Sequence, residues 1–159
     1  MNSAYSAYID RLLQALKDRN ETVRNQATGE FWHMWFHQKG LQGAKRLIES
    51  QTLIEAERST DAKAILDELI LTQPDFAEAW NRRAVLNYMQ GNYVEAITDC
   101  KKTLELIPYH FGALHGLGLC HASVGNYSDA IQCFRRTLDI QPFSLINQRL
   151  VLECIAKLN

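Results

Sequence analysis

Residues 91–108 read GNYVEAITDCKKTLELIP, and residues 125–142 read GNYSDAIQCFRRTLDIQP. Laid over one another at an offset of 34 residues, they share the glycine, the asparagine, the tyrosine, an Ala-Ile pair, a Thr-Leu pair and the closing proline. The phase extends backwards through Ala62, Leu66, Leu69 and Pro74, which stand 34 residues before Ala96, Cys100, Thr103 and Pro108. The three prolines of the chain are Pro74, Pro108 and Pro142, so every proline obeys the same spacing. A fixed period of this length marks a stack of like supersecondary units, because one unit cannot bury its apolar face alone.

Within a unit the apolar spacing is helical. Trp80, Ala84, Val85 and Tyr88 lie on one side of a segment from Ala77 to Gln90, and Ala96, Ile97, Cys100, Leu104 and Ile107 follow on a second from Tyr93 to Leu106. Gly91-Asn92 separates the two, since glycine accepts the left-handed conformation that ends a helix. Pro108 ends the second, having no amide hydrogen and disfavouring helix at the residue before it. Ala84 and Gly118 are equivalent small residues that let the two helices of a pair approach closely, while Trp80 and Leu114 fill the space towards the neighbouring pair.

The pattern resembles the tetratricopeptide repeat, a 34-residue helix-turn-helix of the form W-x2-L-G-x2-Y, A-x3-F and P. Leu114-x2-Leu117-Gly118-x2-His121, Ala130-x3-Phe134 and Pro142 carry it in the unit 111–142. In the unit 77–110 the match is Trp80-x2-Arg83-Ala84-x2-Asn87, Ala96-x3-Cys100 and Pro108, with departures at Arg83 and Asn87. A degenerate unit, 43–76, keeps Ala62, Leu66 and Pro74 but has Arg46, Glu49 and Ser50 in its opening helix. The resemblance covers about residues 41 to 142 and implies an all-α, right-handed superhelical solenoid of about three helix pairs.

The two ends flank that array. Residues 143–159 read as a capping helix, with Leu145, Ile146, Leu150, Val151, Ile155 and Leu158 inward. Residues 1–40 read as a helical hairpin that closes the front of the array. Its first helix is amphipathic through Tyr5, Tyr8, Ile9, Leu12, Leu13 and Leu16; Asn20 caps the second, along which Val23, Ala27, Phe31 and Trp35 step by four. Asp18, Val23, Arg24 and Ala27 are similar to the aspartate turn and V-R-x-x-A helix of a HEAT unit.

Composition excludes several functions. A net charge of -1 lacks the basic excess of a general nucleic-acid binder. No apolar run reaches the roughly 18 residues that insertion in a membrane requires, and the amino terminus has no signal-peptide pattern. Cys100, Cys120, Cys133 and Cys154 form no C-x-x-C pair and read as buried thiols, which suits a reducing, cytoplasmic compartment or, alternatively, the plastid stroma. No P-loop, nucleophile elbow or paired-carboxylate motif is present, so neither a cofactor nor an enzymatic reaction is expected. The exception to weigh is FWHMWFH, where His33 and His37 share a helix face and could hold a metal; Met34 stands where a metalloprotease glutamate would be, and the aromatics read as packing.

What the family resemblance implies is a concave groove lined by the first helix of each pair. Residues 34 apart then form rows: Leu47, Asn81, His115 and Arg149; Ala44, Glu78, Gly112 and Ile146; Gln51, Val85, Leu119 and Glu153. The expected contact set is Glu78, Asn81, Arg82, Val85, Tyr88, His115, Leu119, Arg149 and Glu153, facing a protein or peptide client. Relatives that grip acidic chaperone tails place lysines on such rows, and none stands there. The implied role is an adaptor or assembly factor, with a structural subunit joined through the aromatic hairpin, including a homo-oligomer, as the alternative.

Overall fold

The computed structural model describes residues 3–159, all of whose regular structure is helical: α1 (Ser3–Ala15), α2 (Glu21–Phe36), α3 (Gly40–Glu55), α4 (Ser59–Thr72), α5 (Ala77–Met89), α6 (Tyr93–Leu106), α7 (Phe111–Ser123), α8 (Tyr127–Ile140) and α9 (Leu145–Leu158). α3 to α8 form three antiparallel pairs, each packed on the next, and α9 packs on α8.

The 34-residue period extends to the hydrogen bonds. The first helix of each pair ends with an amide reaching back five residues: Arg58 to Leu53, Asn92 to Asn87 and Asn126 to His121, each at 2.8 Å. This closure needs a left-handed residue just before the donor. Gly91 and Gly125 supply it at φ 78° and 83°, but in the degenerate unit the place is taken by Glu57, held at φ 58°. The second helices end alike, Gln73, Ile107 and Gln141 donating to Leu69, Thr103 and Thr137, again each at 2.8 Å.

Packing follows the same register. Ala62, Ala96 and Ala130 are fully buried, as are Leu66 and Phe134, with Cys100 between them in phase. A methyl group on Gly118 would stand 2.5 Å from the Phe134 ring, so the large ring on α8 requires the absent side chain on α7. The two departures in the middle unit form one polar network. Arg83 makes a two-pronged contact with Asp99 at 2.7 and 2.9 Å and reaches Asp67 at 2.9 Å, while Asn87 donates to Asp99 at 3.1 Å. A guanidinium and a carboxylate thus stand together where the next unit has Leu117 and Cys133, each satisfying the other.

The degeneracy of α3 has a positional cause. Ala79, Leu86, Ala113, Cys120, Asn147 and Cys154 are buried against the preceding second helix; their counterparts on α3, Lys45 and Thr52, are exposed, as is Glu49 between them. Nothing stacks in front of α3 among the described residues, so polar side chains face water there.

Two expectations are corrected by this arrangement. The hairpin does not close the front of the array; α2 crosses the amino-terminal ends of the first helices instead. The stretch from Arg24 in α2 to Gln38 just beyond it meets the start of α9, then α7, then α5. Arg24 lies over the Phe143 ring at 4.4 Å, Thr28 accepts from Gln141 at 3.5 Å, Phe31 and Trp35 pack on Phe111, and Gln38 bonds the Asp75 carbonyl and the Ala77 amide. The 16 residues of α2 span about 24 Å at 1.5 Å each, which matches three helices set about 8–10 Å apart. The second correction concerns α9. Asn147, Val151 and Cys154 face inward, whereas Leu145, Ile146 and Leu158 are exposed. α9 presents to α8 the face by which α5 and α7 meet the preceding pair, and its other apolar face has no partner helix among the described residues.

Candidate functional site

The inner wall carries two adjoining cavities. One, of about 140 Å³, lies between α5 and α7 and is bordered by Asn81, Val85, Tyr88, His115 and Leu119, with Cys100 and Cys120 on its floor. The other, of about 290 Å³, shares Tyr88 and Leu119 and continues to Ala122, Leu150, Glu153 and Lys157. Six residues expected in the groove therefore border open space on it: Asn81, Val85, Tyr88, His115, Leu119 and Glu153. Arg149 is exposed on α9 and pairs with Glu153 at 3.2 Å, a contact worth well under 1 kcal/mol at such exposure.

Glu78 and Arg82 have different roles from those expected. Glu78 is 0 % exposed. It accepts hydrogen bonds from Asn81 Nδ2 at 3.1 Å, Arg82 Nε at 2.7 Å and His110 Nε2 at 2.9 Å, so it holds the wall together and is closed to a ligand. Arg82 also donates to Gln51 at 3.2 Å and lies over the rings of Phe36 at 4.8 Å and Trp32 at 5.7 Å. The reason is the hairpin: α2 covers the end of the wall where these side chains would otherwise meet water.

His110 is the centre of that contact, and the sequence reading missed it. Its Nδ1 accepts the Ala113 amide at 3.0 Å, capping α7, which leaves Nε2 as the protonated nitrogen that donates to Glu78. The Glu78 carboxylate is also paired with Arg82 at 2.7 Å. Trp35 stacks on the ring at 3.8 Å with an interplanar angle of 19°, while Trp32 approaches edge-on at 5.7 Å. Burial pushes the Glu78 carboxyl upward, but the bonds from His110 and Arg82 outweigh it and hold the group below its ordinary value of 4.5. Gly112, which lines the first cavity, lies close under Trp32: a methyl group there would stand 2.6 Å from the indole. The one local signal for His110 is its place at a helix start; its partners lie 32 and 75 positions away, beyond any spacing rule.

His115 donates through Nδ1 to Asn147 Oδ1 at 2.9 Å, and Asn147 donates to Ser144 Oγ at 2.8 Å. His33 and His37 stack at 4.1 Å, with His37 Nδ1 bonded to the His33 carbonyl at 2.9 Å. Among the described residues no group of three or more His, Cys, Asp or Glu side chains is placed to hold a metal. No helix is long and apolar enough to cross a membrane, again among the described residues.

Residues 75–142 match the family model of the tetratricopeptide repeat. The chain is a tetratricopeptide-repeat protein. A TPR repeat-containing protein of Rhizobium etli is 33% identical over 135 residues, taking in 84% of this chain and 66% of that one. The SGT1 homolog of Homo sapiens is 34% identical over 96 residues, 57% of this chain and 26% of that protein. The repeat chain thus spans less than two thirds of the first relative and about a quarter of the second. Among solved structures, the first TPR of Spaghetti (RPAP3), bound to the HSP90 peptide SRMEEVD, superposes with a TM-score of 0.69 at 13% identity, covering 71% of this chain and 90% of that one. MamA does so with a TM-score of 0.67 at 19% identity, covering 87% and 85%. At these identities the likeness establishes the repeat fold, an all-α superhelix.

Proposed function

We propose that this tetratricopeptide array is a protein-interaction module, an adaptor or assembly factor without catalytic activity, that holds a segment of a client protein on its inner wall. The observation that carries this reading is the pair of joined cavities running from Asn81 to Lys157, walled by Val85, Tyr88, Leu119 and Leu150 and rimmed by polar side chains. Small apolar hollows with a few convergent donors suit side chains projecting from a peptide.

The wall also bears on the kind of client. Arg82 is engaged by Glu78 and Gln51, Arg149 by Glu153, and Lys157 alone stands at the far end of the second cavity. The Spaghetti domain and the TPR2B domain of yeast Sti1 are solved with Hsp90 and Hsp70 peptides, respectively. Among the described residues lining the two cavities Lys157 is the one cation, so a client anchored by apolar side chains fits better than an acidic tail. Phe31 and Trp35 are turned into the chain, which argues against the hairpin aromatics as a joint to another subunit. The test is affinity capture from cells with the wild-type chain and with Val85→Asp plus Leu119→Asn. Both positions are partly exposed, so the double variant should fold. A client recovered by the first and lost by the second supports the groove; clients unchanged in both would remove it as the interface.

A further inference from the structure

The second helices of the three pairs carry a charge series that the inner wall leaves unused. Asp67-Glu68 on α4, Lys101-Lys102 on α6 and Arg135-Arg136 on α8 stand 34 residues apart, at one place in successive units. On α4 both carboxylates are paired within the chain, Asp67 with Lys63 and Arg83, Glu68 with Arg46. On α6, Lys102 pairs with Glu105 at 2.9 Å. Lys101, Arg135 and Arg136 have no ion pair or side-chain hydrogen bond among the described residues. Two of these cations border a cleft of about 250 Å³ between α6, α7 and α8, lined by Lys101, His121, Asp129, Gln132, Cys133 and Arg136.

The same cleft exists one unit earlier, at about 280 Å³, with Arg83, Asn87 and Asp99 at the places of Leu117, His121 and Cys133. There the charges are satisfied inside the chain, since Arg83 and Asn87 both bond the Asp99 carboxylate and Arg83 also reaches Asp67. In the later unit Cys133 replaces Asp99 and Lys101 replaces Asp67, so both of those carboxylates are lost and two cations stand at the rim. His121 is partly buried, and its Nδ1 is closed off without a hydrogen-bond partner among the described residues. An orphaned buried N–H is a costlier defect than a bare ring nitrogen, so the proton rests on Nε2 and makes that atom a donor. Burial holds the imidazole below its ordinary 6.5, with Asp129 opposing and Lys101 adding to the fall, so the donor is neutral at pH 7.

We propose that this cleft is a second docking site, which takes a carboxylate from an acidic segment of a partner protein between Lys101 and Arg136, above the Nε2–H of His121. The incoming carboxylate supplies the charge that Asp99 and Asp67 supply within the chain one unit earlier. Asp129 at the rim decides between oxyanions, because its repulsion grows with the charge of the ligand and so favours a carboxylate over a phosphate dianion. The cleft shares no lining residue with the two cavities of the inner wall, so it stands apart from the groove and its client.

The experiment uses the full chain and a fluorescein-labelled tetraglutamate peptide, followed by anisotropy at about 0.15 M ionic strength. Saturable binding is expected, with none to the tetraglutamine peptide. Lys101→Glu plus Arg136→Glu should weaken it about tenfold or more. Both side chains are exposed, so the variant should fold. Lys17→Glu plus Lys45→Glu changes the net charge equally at exposed places that do not line the cleft, and should bind within about twofold of wild type. The His121 ring signals should shift in NMR spectra on titration, and acetate should displace the peptide at lower concentration than inorganic phosphate does. No saturable binding, equal weakening in the two double variants, an unmoved His121 ring, or phosphate as the better competitor would each overturn the proposal.

Discussion

The stack and the hairpin are both built of helix pairs, yet they are held by different chemistry. Between α3 and α8 the main features recur 34 residues further on each time: a fully buried alanine at 62, 96 and 130, and a left-handed turn at 57, 91 and 125. Between α2 and the ends of α5, α7 and α9 nothing recurs. Phe31, Trp32 and Trp35 meet His110, Phe111 and Gly112, none of which has a chemical counterpart at the same place in the unit before, where Phe76, Ala77 and Glu78 stand. A periodic interface can be extended by adding units, whereas a docked hairpin fits at one register only. The comparison teaches that the hairpin is part of the wall, having turned two of the expected groove residues, Glu78 and Arg82, into internal supports.

Phe31→Ala attacks the hairpin side of this contrast most strongly. The ring is fully buried among Trp35, Tyr109 and Phe111, so its loss should cost about 3–5 kcal/mol in urea unfolding. Helical circular dichroism from the stack should largely persist while emission from Trp32 and Trp35 shifts to the red. A cost under about 1 kcal/mol would mean that the hairpin is not integral to the fold.

Glu78→Gln tests whether the covered end of the wall depends on a charge. Removing one partner from the buried Glu78–Arg82 pair should cost roughly 3 kcal/mol at neutral pH. The carboxyl is held below its ordinary 4.5 in the folded chain, so its contribution is complete above that value and is lost as pH falls through the lowered one. Wild type and variant should therefore converge in stability on acidification below about pH 4.5; a gap that stays constant down to pH 2 would show that the charge does not matter.

On the repeat side, Gly118→Ala should cost about 1–3 kcal/mol, because the added methyl meets the Phe134 ring at 2.5 Å and the ring is fully buried. Its effect should fall on the α7–α8 pair and leave the hairpin tryptophan emission unchanged before global unfolding. The smallest change is a gain. Glu57→Gly restores the residue found at the two equivalent turns and relieves a left-handed glutamate, which should raise stability by about 1 kcal/mol by thermal or urea denaturation. A neutral or negative result would mean that the φ of 58° carries no strain at that turn.

Periodicity made most of the stack legible. The helix limits of α5 and α6, the turns at Gly91 and Gly125, and the burial of Ala62, Ala96 and Ala130 all follow from residues whose neighbours lie one period away. The groove rows were legible in part, because residues in register stack side by side; Val85, Tyr88 and Leu119 do border the cavities. Arg83 and Asn87 looked like departures because their partner Asp99 is recognisable only once the helices are paired.

By itself the sequence determined the repeat and the pairing of its helices, since a regular spacing turns local preference into a regular stack, while the side of the inner wall came from the family resemblance. Only the tertiary structure decided where α2 lies, which face of α9 is covered, and that Glu78 is sealed beneath Trp35 and His110. Those outcomes depend on single contacts between segments far apart in the chain, where shape and hydrogen-bond geometry select one docking position and no period announces it.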